Sequence, residues 1–391
     1  MRLSLLKPVC THLDSSCESQ LEELGAHLFG SLQRSGQRLK AERYVRGLLT
    51  APGRKTLRNI AAQFEGGAAQ QSVHHFISES PWEWTPVRHA LARYAQRHLA
   101  PEAWVVRSTM IPKVGSHSIG VDQHFLPHMG QTVTGQQAIG TWLVSARTAV
   151  PVDWRLRLSG RWLSGPLRQR AGIPAGVTAD TLDECVREAV DAVTAIPGVQ
   201  RGPVVVDVDG VDAVALARHL ASAGVPFVVR VDPQQQLRID RSELPKYGDR
   251  VRTAAELASS LVSLRQQINS GERPTTAVAV PVTAAAPTAA GGGGGGMTLV
   301  GEWPKAVSRP GKLWLVGGGV QSLPLVLWLT VLPLVVARDF NAIADKVGIR
   351  DFAGRSFPGW HRHVTLASAA HLAVALDSAP VLSGASLAAR K

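Results

Sequence analysis

Asp207 closes an apolar run, Pro-Val-Val-Val-Asp at 203–207, and Asp209 and Asp212 follow at once. Carboxylates at the carboxyl end of a buried strand can hold a divalent cation, or they can close a turn and cap the next helix. Spacing alone favours the turn and cap. A second group, Arg355, His361, Arg362 and His363, stands beside Phe357 and Trp360. That mixture suits phosphate contacts, and it equally suits a helix start with stacked and capped side chains. A third group, Gln70, Gln71, His74 and His75, falls on the second of two short helical segments around Gly66-Gly67. In a helix-turn-helix such side chains meet base edges or phosphates, although a plain helical bundle carries the same pattern. Lys55, Arg58 and Lys113 complete the candidate DNA contacts.

The elements that must position these groups change character along the chain. Residues 1–98 read as helical: Leu21, Leu24, Leu28 and Leu32 recur at helical spacing behind Ser19 and Glu22, and further helices are expected at 40–49, 55–64, 68–77 and 87–98. From 99 the pattern turns to strands, at 104–106, 116–121, 137–144 and 150–158. Thr181 and Glu184 open a helix, and 203–231 reads as a strand-helix-strand unit with both strands buried. No glycine-rich phosphate loop follows any strand, which makes a dinucleotide site a weak reading. A region at 232–332 includes a flexible linker, 274–297, with six consecutive glycines. Strands are expected at 313–316 and 325–329, and the apolar run 323–336 is taken as a buried strand because it is short for a membrane span and carries Pro324 and Pro333. Residues 333–391 then hold a helix to about 347, the Arg355–His363 loop, a last helix at 364–376 and a tail.

A chain of 391 residues, 45% hydrophobic, fills two or three domains. A formal net charge of +12 favours a polyanionic partner, nucleic acid before membrane, although an Arg- and Ala-rich coding bias produces the same charge. Cys10, Cys17 and Cys185 have neither metal nor disulfide spacing, which fits a reducing, cytoplasmic setting; a site of Cys10, Cys17 and His12 is the weaker reading. The N-terminus has no long apolar run and makes a poor signal peptide.

Four blocks carry a resemblance. They are His75-Phe76-Ile77 with Ser80-Pro81-Trp82; Pro112-Lys113 with Ser118-Ile119-Gly120-Val121; Pro151-Val152-Asp153-Trp154-Arg155-Leu156; and Gly354-Arg355-Ser356 with Gly359-Trp360-His361-Arg362-His363. Together, in this order, they resemble the DDE-type transposases of one bacterial insertion-sequence group over roughly residues 20–376. The resemblance implies an α/β protein: an N-terminal helical DNA-binding region (1–98), an RNase H-like mixed-sheet domain (99–231) interrupted by an insertion (232–332) before its last catalytic helix, and the closing helices (333–391). It implies double-stranded DNA as partner and action as a homodimer on element ends; with the cysteine usage and the short apolar run, the expectation is no membrane and a cytoplasmic, nucleoid-associated place.

Family chemistry is phosphodiester hydrolysis and strand transfer with two Mg²⁺ or Mn²⁺ ions held by three converging carboxylates. By resemblance the second acid is Asp207. The first falls on Arg107 or Ser108 and the third near Ala337, with a downstream lysine position at Ala344, so two of the three acids are replaced. Asp209 and Asp339 are the nearest substitutes, with Asp345 on the same helix as Asp339; Asp339 would need a shift of helix register, and Asp122 stands far along the next strand. A cation at 107 opposes metal binding, and it can pair with Asp207 in place of an ion or touch a phosphate itself. The expectation is a DNA-binding protein of transposase descent without cleavage and with no cofactor. An active nuclease using displaced acids, dependent on Mg²⁺ or Mn²⁺, and a decaying relic are the alternatives.

Overall fold

The computed structural model describes residues 15–64, 69–126, 130–178, 181–248, 250–270, 273–285, 296–303, 311–320 and 322–377. Two compact units result: Met1–Leu99 with Asp339–Ala353 and Pro358–Lys391, and Ala100–Arg338 with Gly354–Phe357. The first unit is helical. Its elements are α1 (Ser15–Leu28), α2 (Ser35–Thr50), α3 (Leu57–Ala61), α4 (Ala69–Ser78) and α5 (Trp84–Leu99). Thr56 caps α3 by accepting the Asn59 N–H at 3.1 Å. Leu24, Leu28 and Leu32 are buried and Leu21 is half-buried, so the leucine spacing read from the sequence is the stripe that faces the core. The glycine turn at 66–67 lies outside the described residues.

The second unit is built on one mixed sheet, as the RNase H-like expectation requires. In chain order it has β1 (Ala103–Pro112), β2 (Val121–Leu126), β3 (Gln131–Val144), β4 (Ala149–Leu156), α6 (Gly160–Leu163), α7 (Gly165–Ala171), α8 (Leu182–Thr194), β5 (Val204–Asp207), α9 (Ala213–Ser222) and β6 (Phe227–Val231). β7 (Gln236–Ile239), β8 (Arg252–Thr253), α10 (Ala254–Ser260), β9 (Arg265–Ser270), β10 (Arg273–Ala284), β11 (Met297–Trp303), β12 (Leu313–Gly317) and α11 (Leu323–Asp339) follow. The last helix, α12 (Phe357–Asp377), belongs with the first unit but for its opening residue. Strands run in the order β2-β3-β1-β5-β6-β12-β11-β10-β7-β8, with β4 on β3 and β9 on β10. β1, β5 and β6 are parallel. Helix α8 packs against β3 and β4, and α9 against β6 and β12. The Thr181–Glu184 capping box forms as read.

Four local expectations are corrected. The strand at 116–121 is a turn between β1 and β2, with Gly115 and Gly120 at positive φ, a conformation few other residues adopt. The apolar run 323–336 is the helix α11, not a strand. An unbroken apolar run fits both, and length arbitrates: 17 residues exceed an ordinary strand, Pro324 sits in the first turn where its missing N–H is harmless, and Pro333 is accommodated within the helix. With the turns that continue it, the helix runs Leu323–Ala344, 22 residues whose most apolar stretch has mean hydropathy 1.7, long and apolar enough by composition to cross a membrane; 44% of that stretch is buried in the fold. The linker expected over 274–297 is in its first part the strand β10, whose alternating Thr, Ala and Val residues pair with β11 and β9. The last helix begins at Phe357 and so takes in His361, Arg362 and His363, which had been read as a loop.

Candidate active-site cleft

Strand register brings the site together. On the parallel pair β1–β5, Arg107 stands directly beside Asp207. On β5–β6, Val206 pairs with Val229, which carries Arg230 to the level of Asp207 on the other side. A cross-strand row of cation, carboxylate and cation therefore runs from the middle of β1 across the carboxyl ends of β5 and β6, and the carboxyl ends of parallel strands are where open α/β sheets hold ligands. Lys312, immediately before β12, reaches the same carboxylate.

The Asp207 side chain is only 2% exposed, and both of its oxygens are engaged. Lys312 Nζ donates to Oδ1 at 3.0 Å and Oδ2 at 2.9 Å, and Arg230 Nη1 donates to Oδ1 at 3.3 Å. Arg107 Nε lies 3.6 Å from Oδ2, while its Nη1 donates to the Pro333 carbonyl at 3.2 Å. Arg230 also pairs with Asp209 at 2.8 Å. Asp207 caps no helix: Asp212 does so for α9, accepting the Val214 and Ala215 N–H groups, which corrects the cap reading of Asp207. Ser108 Oγ accepts from Gln137 Nε2 at 3.1 Å.

These residues line an open cleft of about 1070 Å³. Its farther wall holds Asp122, His124, Arg157, Ser159 and Arg161. Asp122 is taken by Ser159 Oγ at 2.6 Å and by Arg161 at 3.2 Å. Ala337 does not line the cleft, and Asp339 is a buried residue of the helical unit. Among the described residues no three His, Cys, Asp or Glu side chains gather as metal ligands. The donor chemistry of the site points the same way: the one buried carboxylate already faces three cations, and a divalent ion placed there would be repelled by all of them. The residues do not fit the metal pair that the resemblance implies.

His124 adds a titration. Its Nε2 is buried with no hydrogen-bond partner among the described residues. Burial, then the nearby Arg157, lower its pKa below 6.5, against an opposing pull from Asp122. Between the lowered folded value and the unfolded 6.5 the unfolded chain binds more protons; stability therefore rises with pH across that window and is lost as pH falls through it. An NMR titration of the imidazole is expected to give a midpoint under 6.5, and a midpoint at or above it contradicts this environment.

The other DNA-contact candidates divide. Arg58, Gln70, Gln71, His74, His75 and Arg355 are exposed, and Lys113 is half-buried. On α4 the Gln and His side chains share the open side, while Phe76 and Ile77 face the core. Lys55, His361, Arg362 and His363 are corrected: all four are buried at 5% exposure or less and serve the helical unit from inside. Lys55 Nζ donates to the Ala51 carbonyl. Arg362 donates Nε to the Trp82 carbonyl and Nη1 to that of Ile77, both at 3.0 Å. His361 stacks on Trp84 and meets Arg88 Nη2 at 3.1 Å. His363 Nε2 bonds the Gly348 carbonyl at 2.8 Å and must carry the proton; Nδ1 then accepts from the Tyr44 hydroxyl at 2.8 Å. Burial and the Asp351 charge push the Tyr44 hydroxyl well above its ordinary range. Cys185 is a core thiol pushed up to about 11 by burial, and Cys10 and His12 lie outside the described residues.

Arg230 and Lys312 escaped the sequence reading. Their signal was present: Arg230 is a charge inside the otherwise apolar strand Phe-Val-Val-Arg-Val, and Lys312 is the cation just before Leu-Trp-Leu-Val. A buried strand carries a charge only where something compensates it.

Comparison with protein families gives a match over residues 27–282 to the model described as DDE superfamily endonuclease. A search of curated proteins returns no match.

Proposed function

This chain belongs to the DDE superfamily of endonucleases, and from that premise we propose that it binds double-stranded DNA without cutting it. One observation carries the reading: Asp207, the acid that the resemblance matches to the family's second metal ligand, is bound on both oxygens by Arg107, Arg230 and Lys312. Phosphodiester hydrolysis by two metals needs converging carboxylates that are free to bind cations, and here the protein supplies the cations itself. Binding draws on the net charge of +12 and on exposed side chains of the helical unit, with Gln70, Gln71, His74 and His75 presented along one side of α4 and Arg58 on α3. The protein works at DNA, nucleoid-associated, as a descendant of nucleases.

The test puts binding and nicking on one purified sample, with Mg²⁺, with Mn²⁺ and with chelator. Binding is expected to be the same under all three conditions and to weaken steeply with salt, as counterion release requires. Supercoiled plasmid is expected to stay intact. Metal-dependent nicking would overturn the reading in favour of an active nuclease that uses Asp209 or other displaced acids, and a flat salt response would remove the phosphate contacts.

A further inference from the structure

We propose that Arg107, Arg230 and Lys312 form a metal-independent phosphate clamp, a site that takes a backbone phosphodiester directly on protein cations gathered around one buried carboxylate. The inference rests on the DNA-binding reading and deepens it by naming the ligand group and the residues that hold it.

The order of layers decides the sign of the ligand. Asp207 lies underneath at 2% exposure, whereas the Arg107, Arg230 and Lys312 side chains are 30%, 28% and 44% exposed. A molecule entering the cleft meets guanidinium and ammonium groups first and the carboxylate last, so the site selects an anion. Charge agrees: among the described residues five cations, Arg107, Arg157, Arg161, Arg230 and Lys312, line the cleft against the three carboxylates Asp122, Asp207 and Asp209.

Donors remain to be used. Arg107 Nη2 and Arg230 Nη2 bond no protein group among the described residues, and Arg107 Nε is buried without a hydrogen bond although it faces Asp207. A tetrahedral oxyanion can accept from two arginine forks and one ammonium at once, and such charge-assisted bonds are the strong ones. Asp207 already engages the cations, Lys312 at 2.9 Å and Arg107 at 3.6 Å, so its charge competes with an incoming anion for them. The cleft is larger than one phosphate, and Arg157 and Arg161 continue its cationic lining, which suits a chain of phosphates better than a lone ion.

The experiment uses the full chain with chelator present throughout. Inorganic phosphate, against chloride at matched ionic strength, and a short DNA duplex are titrated into wild type, Lys312→Met and Asp207→Asn. Lys312 is the most exposed of the three cations, so its variant keeps the fold and cancels general salt effects in the comparison. Lys312→Met is expected to bind both ligands about 10-fold more weakly. Asp207→Asn, which removes the competing anion, is expected to bind phosphate as tightly as wild type or more so. Loss of phosphate binding in Asp207→Asn, or identical affinities in Lys312→Met and wild type, overturns the clamp. If wild type takes phosphate through Lys312 but binds no duplex, the DNA reading fails and the clamp stands. If wild type binds duplex while Lys312→Met binds it equally and phosphate is ignored, the clamp fails and the DNA reading stands.

Discussion

Asp207→Asn is expected to lower the unfolding free energy by about 3 kcal/mol in phosphate-free buffer, and millimolar phosphate is expected to return much of that loss. Asparagine keeps the shape of the side chain and removes only its charge. Wild-type Asp207 is met by Lys312 at 2.9 Å and 3.0 Å, by Arg230 at 3.3 Å and by Arg107 at 3.6 Å. Without the carboxylate, three cations confront one another across adjacent strands, and among the described residues Asp209 is the carboxylate still bonded to one of them. Breaking a buried ion pair costs roughly 3–5 kcal/mol, and the lower end applies because the cations are 28% to 44% exposed and partly screened by water. Urea denaturation of both forms, with and without phosphate, measures the effect. A divalent ion should not substitute for phosphate in the rescue. Rescue by Mg²⁺ would mean that position 207 still works as a metal ligand site.

Arg362→Met is expected to cost about 3 kcal/mol of stability and to leave the DNA affinity of the folded protein unchanged. Composition places Arg362 among phosphate-binding residues, yet it lies inside the helical unit at 5% exposure. Its guanidinium ties two carbonyls, Ile77 at the end of α4 and Trp82 just beyond it, and lies 5.6 Å from the Trp82 ring centroid. Methionine fills the volume and leaves both carbonyls without a donor. Burial also lowers the pKa of Arg362, with Glu83 opposing, but an arginine stays protonated at any pH the fold survives. Denaturation curves and a DNA titration on the same preparation check both halves. Unchanged stability with weakened DNA binding would return Arg362 to the binding surface.

The two residues show how far local sequence carries. The strand-helix-strand unit at 203–231 was legible because its signals are local: a short apolar strand, an acid at its end, a helical stripe and Gly224 as stop. The helices of the first 98 residues were legible from leucine spacing for the same reason. The run 323–336 was misread as a strand because a continuous apolar segment has no period, so nothing local separates a buried helix from a buried strand. Strand β10 was hidden by its position against the glycine tract, which made a paired strand of Thr, Ala and Val residues look like linker. Buried histidines and one arginine on α12 looked like a surface loop, because one-dimensional composition does not say which polar groups will find partners inside a core.

By itself the sequence determined that Asp207 ends a buried strand and that neither Arg107, Ser108 nor Ala337 carries a carboxylate, because residue type alone says so. The register between distant strands decided the rest. Arg107, Arg230 and Lys312 are separated by more than 200 positions from first to last, and only the parallel pairing of β1, β5 and β6, followed by antiparallel β12, sets them around one carboxylate. That convergence is a product of hydrogen-bonded pairing between segments remote in the chain, and no pattern within any one segment encodes it.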